Sequence, residues 1–270
     1  VIPMIKYFSV LILLIVFISS EAFPQSAPKK NGNFTITYSY MGEGTSYQTP
    51  YYILKAKKKH PRILIDAGIH GDEIAGIYAC DSILQYLQLI EGTVILVPAV
   101  NIQAVMKNVR GVNIDLNQVF PGKKDGFYYE DSLAYDFMEL VKELEPDVVI
   151  NLHEAWTKFD DKYYERKKDM SFGQTLITNS ETFSDYIINA RERMNSYISD
   201  STKHFRIQYF PYKPNHSMDN IIEKLKIPSY TCETLRTLDL NERINYMIDV
   251  ILSFLEETGI EYYYGDPQDK

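Results

Sequence analysis

RILIDAGIHGDEIAG, residues Arg62 to Gly76, changes character twice. Ile63, Leu64 and Ile65 form a short apolar run, mostly β-branched, that predicts a buried strand. The run breaks at Gly68. His70 and Glu73 follow, with Gly71 between them to let the backbone turn, and the apolar periodicity of Ile74 to Ile90 predicts a helix. A strand that ends in His-x-x-Glu at the mouth of a helix sets an imidazole and a carboxylate on one side of a loop. That arrangement suits two of the three protein ligands of a catalytic zinc, whose fourth position stays open. The same spacing also serves as a helix cap and its neighbour, so the pair alone does not decide the matter.

Working outward, Thr35 to Tyr40 and Tyr51 to Ala56 alternate as strands near a sheet edge, and Thr93 to Val97 (TVILV) is a second buried strand ended by Pro98. Leu133 to Leu144 is an amphipathic helix closed before Pro146, and Asp147 to Leu152 (DVVINL) a third apolar strand. Lys158 to Lys168 is charge-rich without apolar period and predicts an exposed loop. Glu181 to Ser199 is a helix with polar faces, Pro228 to Cys232 a fourth strand, and Asn241 to Glu257 the closing helix. Strands alternating with helices, several strands apolar throughout, predict an α/β fold. Its central sheet is mixed, mostly parallel and flanked by helices on both faces of a single domain.

Of 270 residues, 45% are hydrophobic and 24% charged, enough for one sizeable core. A net charge of −8 argues against a nucleic-acid partner, whose phosphates call for basic patches. The first 22 residues have the layout of a secretory signal: Lys6, the apolar run Val10 to Ile18, then Ser20 and Ala22 as a small-x-small cleavage site. The apolar core is short for a membrane span. Residues 23–32 are expected as a linker and 33–270 as the functional domain, exported and free of the membrane once the signal is cleaved. Cys80 and Cys232 are too few for a disulfide framework and suit buried small hydrophobes.

Three apolar strands end in titratable residues: the first leads to His70 and Glu73, the third to His153 and Glu154, the fourth to Glu233. Sites in open α/β sheets form where loops leave the carboxyl ends of strands, so these groups are expected to converge. His153 then supplies the third ligand. Between the first and third strands lies NVRGVNIDLNQVFPG, Asn108 to Gly122, a polar loop with Arg110, Asp115 and Asn117.

HGDE, DLNQVFPG, NLHE and an apolar strand ending in glutamate together resemble the zinc carboxypeptidase superfamily. It comprises the carboxypeptidase A-like metallopeptidases and the succinylglutamate desuccinylase–aspartoacylase branch. The resemblance covers Arg62 to Arg236 and implies a carboxypeptidase-like fold, one zinc ion per chain, and hydrolysis of an amide bond in a peptide or N-acyl amino acid. It implies His70, Glu73 and His153 as zinc ligands and Glu233 as general base and acid. Arg110 is implied as the group that polarises the scissile carbonyl. Ser217-Met218-Asp219 ahead of Tyr230-Thr231-Cys232-Glu233 is similar to the peptidase branch, which implies Met218 as a lining of the specificity pocket. Asn117 and Tyr212 are implied as substrate contacts, while DLNQVFPG is nearer the desuccinylase wording. One departure stands out: the family has an arginine for the substrate carboxylate where this chain has Gln118. An amide lacks the charge and the bidentate fork, so Arg236 and Arg206 become the candidate anchors, or else the substrate has no free carboxylate there.

The expectation is therefore an exported zinc metallopeptidase. A deacylase of N-acyl amino acids is the nearest enzymatic alternative, and a silent zinc-binding recognition module the alternative of another class. Retention of both Glu233 and Arg110 speaks against the module.

Overall fold

The structure, a computed structural model, describes residues 30–31, 34–158, 172–180, 182, 184–210 and 217–265. In chain order its main elements are β1 (Lys30–Asn31), β2 (Phe34–Met41), β3 (Thr49–Ala56), β4 (Arg62–Ala67), α1 (Ala75–Tyr86), β5 (Leu87–Leu89), β6 (Thr93–Val97), α2 (Ile102–Lys107), α3 (Tyr129–Leu144), β7 (Val148–Ala155) and β8 (Thr175–Thr178). They continue with α4 (Asp185–Tyr197), β9 (Arg206–Tyr209), α5 (Met218–Lys224), β10 (Ser229–Leu235), α6 (Leu240–Glu257) and β11 (Tyr262–Tyr264). Nine strands form one mixed sheet in the order β1-β2-β3-β6-β4-β7-β10-β8-β9. Its centre, β6-β4-β7-β10, is parallel throughout, which calls for helical crossovers and explains why those strands are apolar on both faces.

Side-chain alternation along the central strands divides the core in two. Ile63, Ile65 and Ala67 of β4 face Ala79 and Ile83 of α1, Ile187 of α4 and Met247 and Phe254 of α6. Leu64, on the opposite face, joins Phe137 and Val141 of α3 and Ile222 of α5. Helices thus cover both faces, as α/β patterning requires. Gly76 lets α1 lie close to the sheet: a Cβ there would stand 2.9 Å from the Leu152 Cβ.

Several sequence expectations need correction. The helix foreseen to Ile90 ends at Tyr86, and Leu87–Leu89 pairs antiparallel with Tyr262–Tyr264 in a separate two-stranded sheet. Both Leu87 and Leu89 are buried with Gln88 between them, a strand alternation that a helical period also tolerates. The foreseen linker reaches into the sheet, because Lys30–Asn31 pairs with Phe34 and Thr35. Strands β8 and β9 were not foreseen; each is four residues long, and β9 (RIQY) carries arginine and glutamine. Helix α5, which carries Met218 and Asp219 of the Ser-x-Asp motif, was not foreseen either. The signal segment, the loop beyond Lys158 and Tyr212 lie outside the described residues. Cys80 and Cys232 are free and buried. Among the described residues no helix is long and apolar enough to cross a membrane.

Candidate metal centre and active site

Parallel pairing places the ends of β4, β7 and β10 side by side, with Ala67 opposite Leu152 and His153 opposite Glu233. Just past β4, Gly68 turns the chain at φ +69°, a conformation that L side chains rarely adopt. Gly71 lets the ligand loop touch the backbone of α2, since a Cβ would lie 2.0 Å from the Ala104 carbonyl carbon. The Gly71 N–H donates to the Arg110 carbonyl at 3.4 Å, so that same close approach brings Arg110 to the site.

His70, Glu73 and His153 each offer one donor atom, all within 4.8 Å of one another, and all three residues are buried. Glu73 sits between the two rings: Oε1 is 2.8 Å from His70 Nδ1 and Oε2 is 2.7 Å from His153 Nδ1. The backbone N–H of Glu154 donates to Glu73 Oε2 at 3.1 Å. Around this cluster stands a second layer that sets its orientation. His70 Nε2 donates to Asp115 Oδ1 at 3.1 Å, and Arg110 donates through Nε and Nη2 to Asp115 Oδ2 at 3.1 and 2.9 Å. Arg110 Nη1 lies 3.3 Å from Glu73 Oε1. The Glu154 carboxylate accepts from the Ala75 N–H at the start of α1, at 3.2 Å, and pairs with Arg243 of α6.

Electrostatics follow from this packing. Burial alone drives the His70 imidazolium down, but the Glu73 charge and the hydrogen bonds to Asp115 and Glu73 outweigh it and hold the ring up at about 9. Burial raises Glu73 and Asp115, yet the neighbouring imidazoles, with Arg110 beside Asp115, keep both carboxyls well below the usual range. Glu233 differs. Burial and the Glu73 charge lift it well above the ordinary carboxyl value, against the pull of His70 and Arg110. One carboxyl held below its ordinary range beside another lifted above it is the separation that acid–base chemistry uses.

The donor set fits zinc. Two imidazoles and a carboxylate are the ligands of an open catalytic site, and a carboxylate on the far nitrogen of a ligating histidine is the usual support. Asp115 provides that support for His70. His153 keeps its Nε2 buried without a partner.

The structure gathers His70, Glu73, His153, Glu233 and Arg110, the chemical core foreseen from sequence. The foreseen substrate contacts fare differently. Met218 is fully buried in the core between α3 and α5 and lines no opening, because the Ser-x-Asp stretch runs into a helix packed on the sheet. Asn117 accepts from the Met218 N–H through Oδ1 at 3.1 Å, a tie between loop and helix. Gln118 is exposed. Arg236 is engaged, donating from Nη1 to Asp72 Oδ2 at 2.8 Å and standing over the Trp156 ring. Sequence reasoning gave no role to Asp72, Trp156 or Arg243; the sequence signal was position, since Trp156 and Arg236 each stand three residues past a site residue.

A mixed α/β sheet with His-x-x-Glu, a strand-end histidine and a strand-end glutamate at one edge defines a zinc carboxypeptidase-like protein. Residues 59–208, more than half of the chain, match the family model described as succinylglutamate desuccinylase/aspartoacylase catalytic domain, and the chain belongs to that family. Glu233 lies beyond the matched stretch. No curated protein matches the sequence. Among solved structures, tripeptide-bound cell shape determinant Csd4 from Helicobacter pylori is 20% identical with a TM-score of 0.67, over 76% of this chain and 53% of that one. The mDAP-bound form of Csd4, described as a D,L-carboxypeptidase, is 21% identical with a TM-score of 0.67, over 76% and 52%. An aspartoacylase family protein from Mesorhizobium loti is 19% identical with a TM-score of 0.59, over 89% and 73%. These likenesses are of fold, and the chain spans about half the length of the Csd4 structures.

Proposed function

We propose that the chain is a zinc-dependent amide hydrolase acting outside the cytoplasm on peptides, with cell-wall peptides the favoured class. The observation that carries this reading is the three-donor cluster of His70, Glu73 and His153 with Glu233 directly opposite His153 on the next strand. Those three side chains would hold the metal. Bound there, zinc supplies a Lewis acid and lowers the pKa of water toward ~7.

The chain's own residues supply the rest. Glu233 takes the proton of the attacking water and returns it to the leaving amine. Its partly buried position on β10 raises its basicity. Arg110 is more than half exposed, so its guanidinium reaches substrate while Asp115 fixes its plane, and it stabilises the charge growing on the carbonyl oxygen. Asp115 orients His70, and the Glu154 N–H orients Glu73. Export rests on the amino-terminal sequence layout, and the peptide class on the tripeptide and mDAP found with Csd4.

The family match favours a second reading, a deacylase of N-acyl amino acids. Zinc-loaded protein assayed on peptides with free and blocked carboxyl ends, beside N-succinyl and N-acetyl amino acids, separates the two. Cleavage of the peptides supports the first reading; cleavage of the acyl amino acids alone replaces it with the second. In either case Glu233→Gln loses turnover by about 10²- to 10⁴-fold while zinc content is unchanged. Loss of metal in that variant assigns Glu233 a structural part and removes it from the mechanism.

A further inference from the structure

Three residues outside the chemical cluster tie together the strand ends that carry it. Asp72 lies between His70 and Glu73 in the loop after β4, Trp156 follows His153 by three residues, and Arg236 follows Glu233 by three. Arg236 donates from Nη1 to Asp72 Oδ2 at 2.8 Å and from Nη2 to the Asp72 carbonyl oxygen. Its backbone N–H donates to the Ala155 carbonyl at 2.8 Å, joining the ends of β10 and β7. The guanidinium carbon stands 4.5 Å from the centroid of the Trp156 ring. Arg236 is largely buried, its side chain 14% exposed.

Trp156, by contrast, is 68% exposed, and it is the one tryptophan of the chain. A lone exposed apolar side chain needs no explanation. An indole with one face fixed by a guanidinium, itself fixed by the loop that bears two of the cluster's three donors, is a different object. Its position is set and its remaining surface stays in water. A rigid aromatic surface offers contact area at little cost in conformational entropy.

We propose that Trp156 is a specificity-determining platform at the rim of the site, receiving a neutral planar or apolar group that flanks the scissile amide. This rests on the zinc hydrolase reading above. Arg236 already draws on the electron density of the ring, so an uncharged group suits the free surface better than a second cation. The array also accounts for Arg236. Committed to Asp72 and Trp156, it shapes the rim and does not clamp a substrate carboxylate.

The test uses two hydroxamates as zinc-directed probes of different size, acetohydroxamate and benzohydroxamate, on the zinc-loaded chain. Calorimetry gives the ratio of their affinities, and zinc content is measured on each sample. The ratio falls about tenfold in favour of the small probe in Trp156→Ala, with zinc content retained, and Trp156→Phe recovers most of it. In the parent protein benzohydroxamate alters tryptophan emission, which reports one residue, more than acetohydroxamate does. An unchanged ratio across the three zinc-loaded proteins overturns the platform and leaves the hydrolase reading standing. A parent that takes up no zinc and binds neither probe overturns that reading, and the platform with it.

Discussion

At the residue scale the cluster is a set of paired charges sharing protons. His70, held at about 9, is an imidazolium at neutral pH, donating to Glu73 on one side and Asp115 on the other. Holding a metal would require the His70 ring to give up a proton, so zinc uptake at neutral pH would release at least one proton per chain. Since the folded ring stays protonated below about 9, apparent zinc affinity falls by at least about tenfold for each pH unit lowered between roughly pH 8 and 6. Competition against a chelator across that range measures the slope; a flat profile contradicts the exchange. Gly71 tests the positioning of Arg110. Gly71→Ala drives a methyl group into the Ala104 backbone, pushes α2 away and lowers kcat with less change in KM. An unaltered kcat shows that Arg110 does not depend on that contact. The three-donor cluster and Glu233 were legible because strand-end chemistry is written in short contiguous motifs. Met218 misled, because a motif match fixes neighbours in sequence and says nothing of whether a side chain points into a cleft or a core. Asp72 and Arg236 pair across a separation of 164 residues, which no local pattern encodes.

At the element scale, Glu154 is the junction of β7, α1 and α6. Its carboxylate accepts from the first turn of α1 and pairs with Arg243, with neither partner much exposed. Burial nevertheless lifts the Glu154 carboxyl above its ordinary value despite Arg243, so desolvation is not fully repaid by the pair. Glu154→Ala therefore leaves a buried guanidinium uncompensated and costs about 3–5 kcal/mol, read from denaturant midpoints. A loss below about 1 kcal/mol contradicts the junction. Helix α6 carries a pH dependence of its own. Burial holds Asp249 at about 6, above its unfolded value near ~4. The unfolded chain then binds fewer protons than the folded one between those values, so stability drops as pH rises from about 4 to 6, by on the order of 1–3 kcal/mol. Asp249→Asn removes that drop and is the more stable protein at neutral pH, a point that thermal unfolding at both ends of the range decides. Long periodic elements such as α3 and α6 were visible in sequence. The short ones were not: β8 and β9 exist because β10 offers an edge to pair with, a tertiary cause.

At the scale of the whole molecule, the two-sided core carries the stability and the strand ends carry the chemistry. Packing on both faces leaves the carboxyl edge of β4, β7 and β10 as the place where polar groups gather, which is why the alternation of apolar strands and helices announced the site as well as the fold. A metal that binds the folded chain and not the unfolded one adds about 4 kcal/mol at a thousandfold excess over its Kd. For a chain of this size that is a rise in Tm on the order of 10 °C, lost on chelation. The direct measurement is zinc stoichiometry by elemental analysis, on the parent chain and on His153→Ala. The account predicts one zinc per chain in the parent and none retained in the variant. No zinc in the parent after zinc is supplied, or an equal content in both, contradicts it.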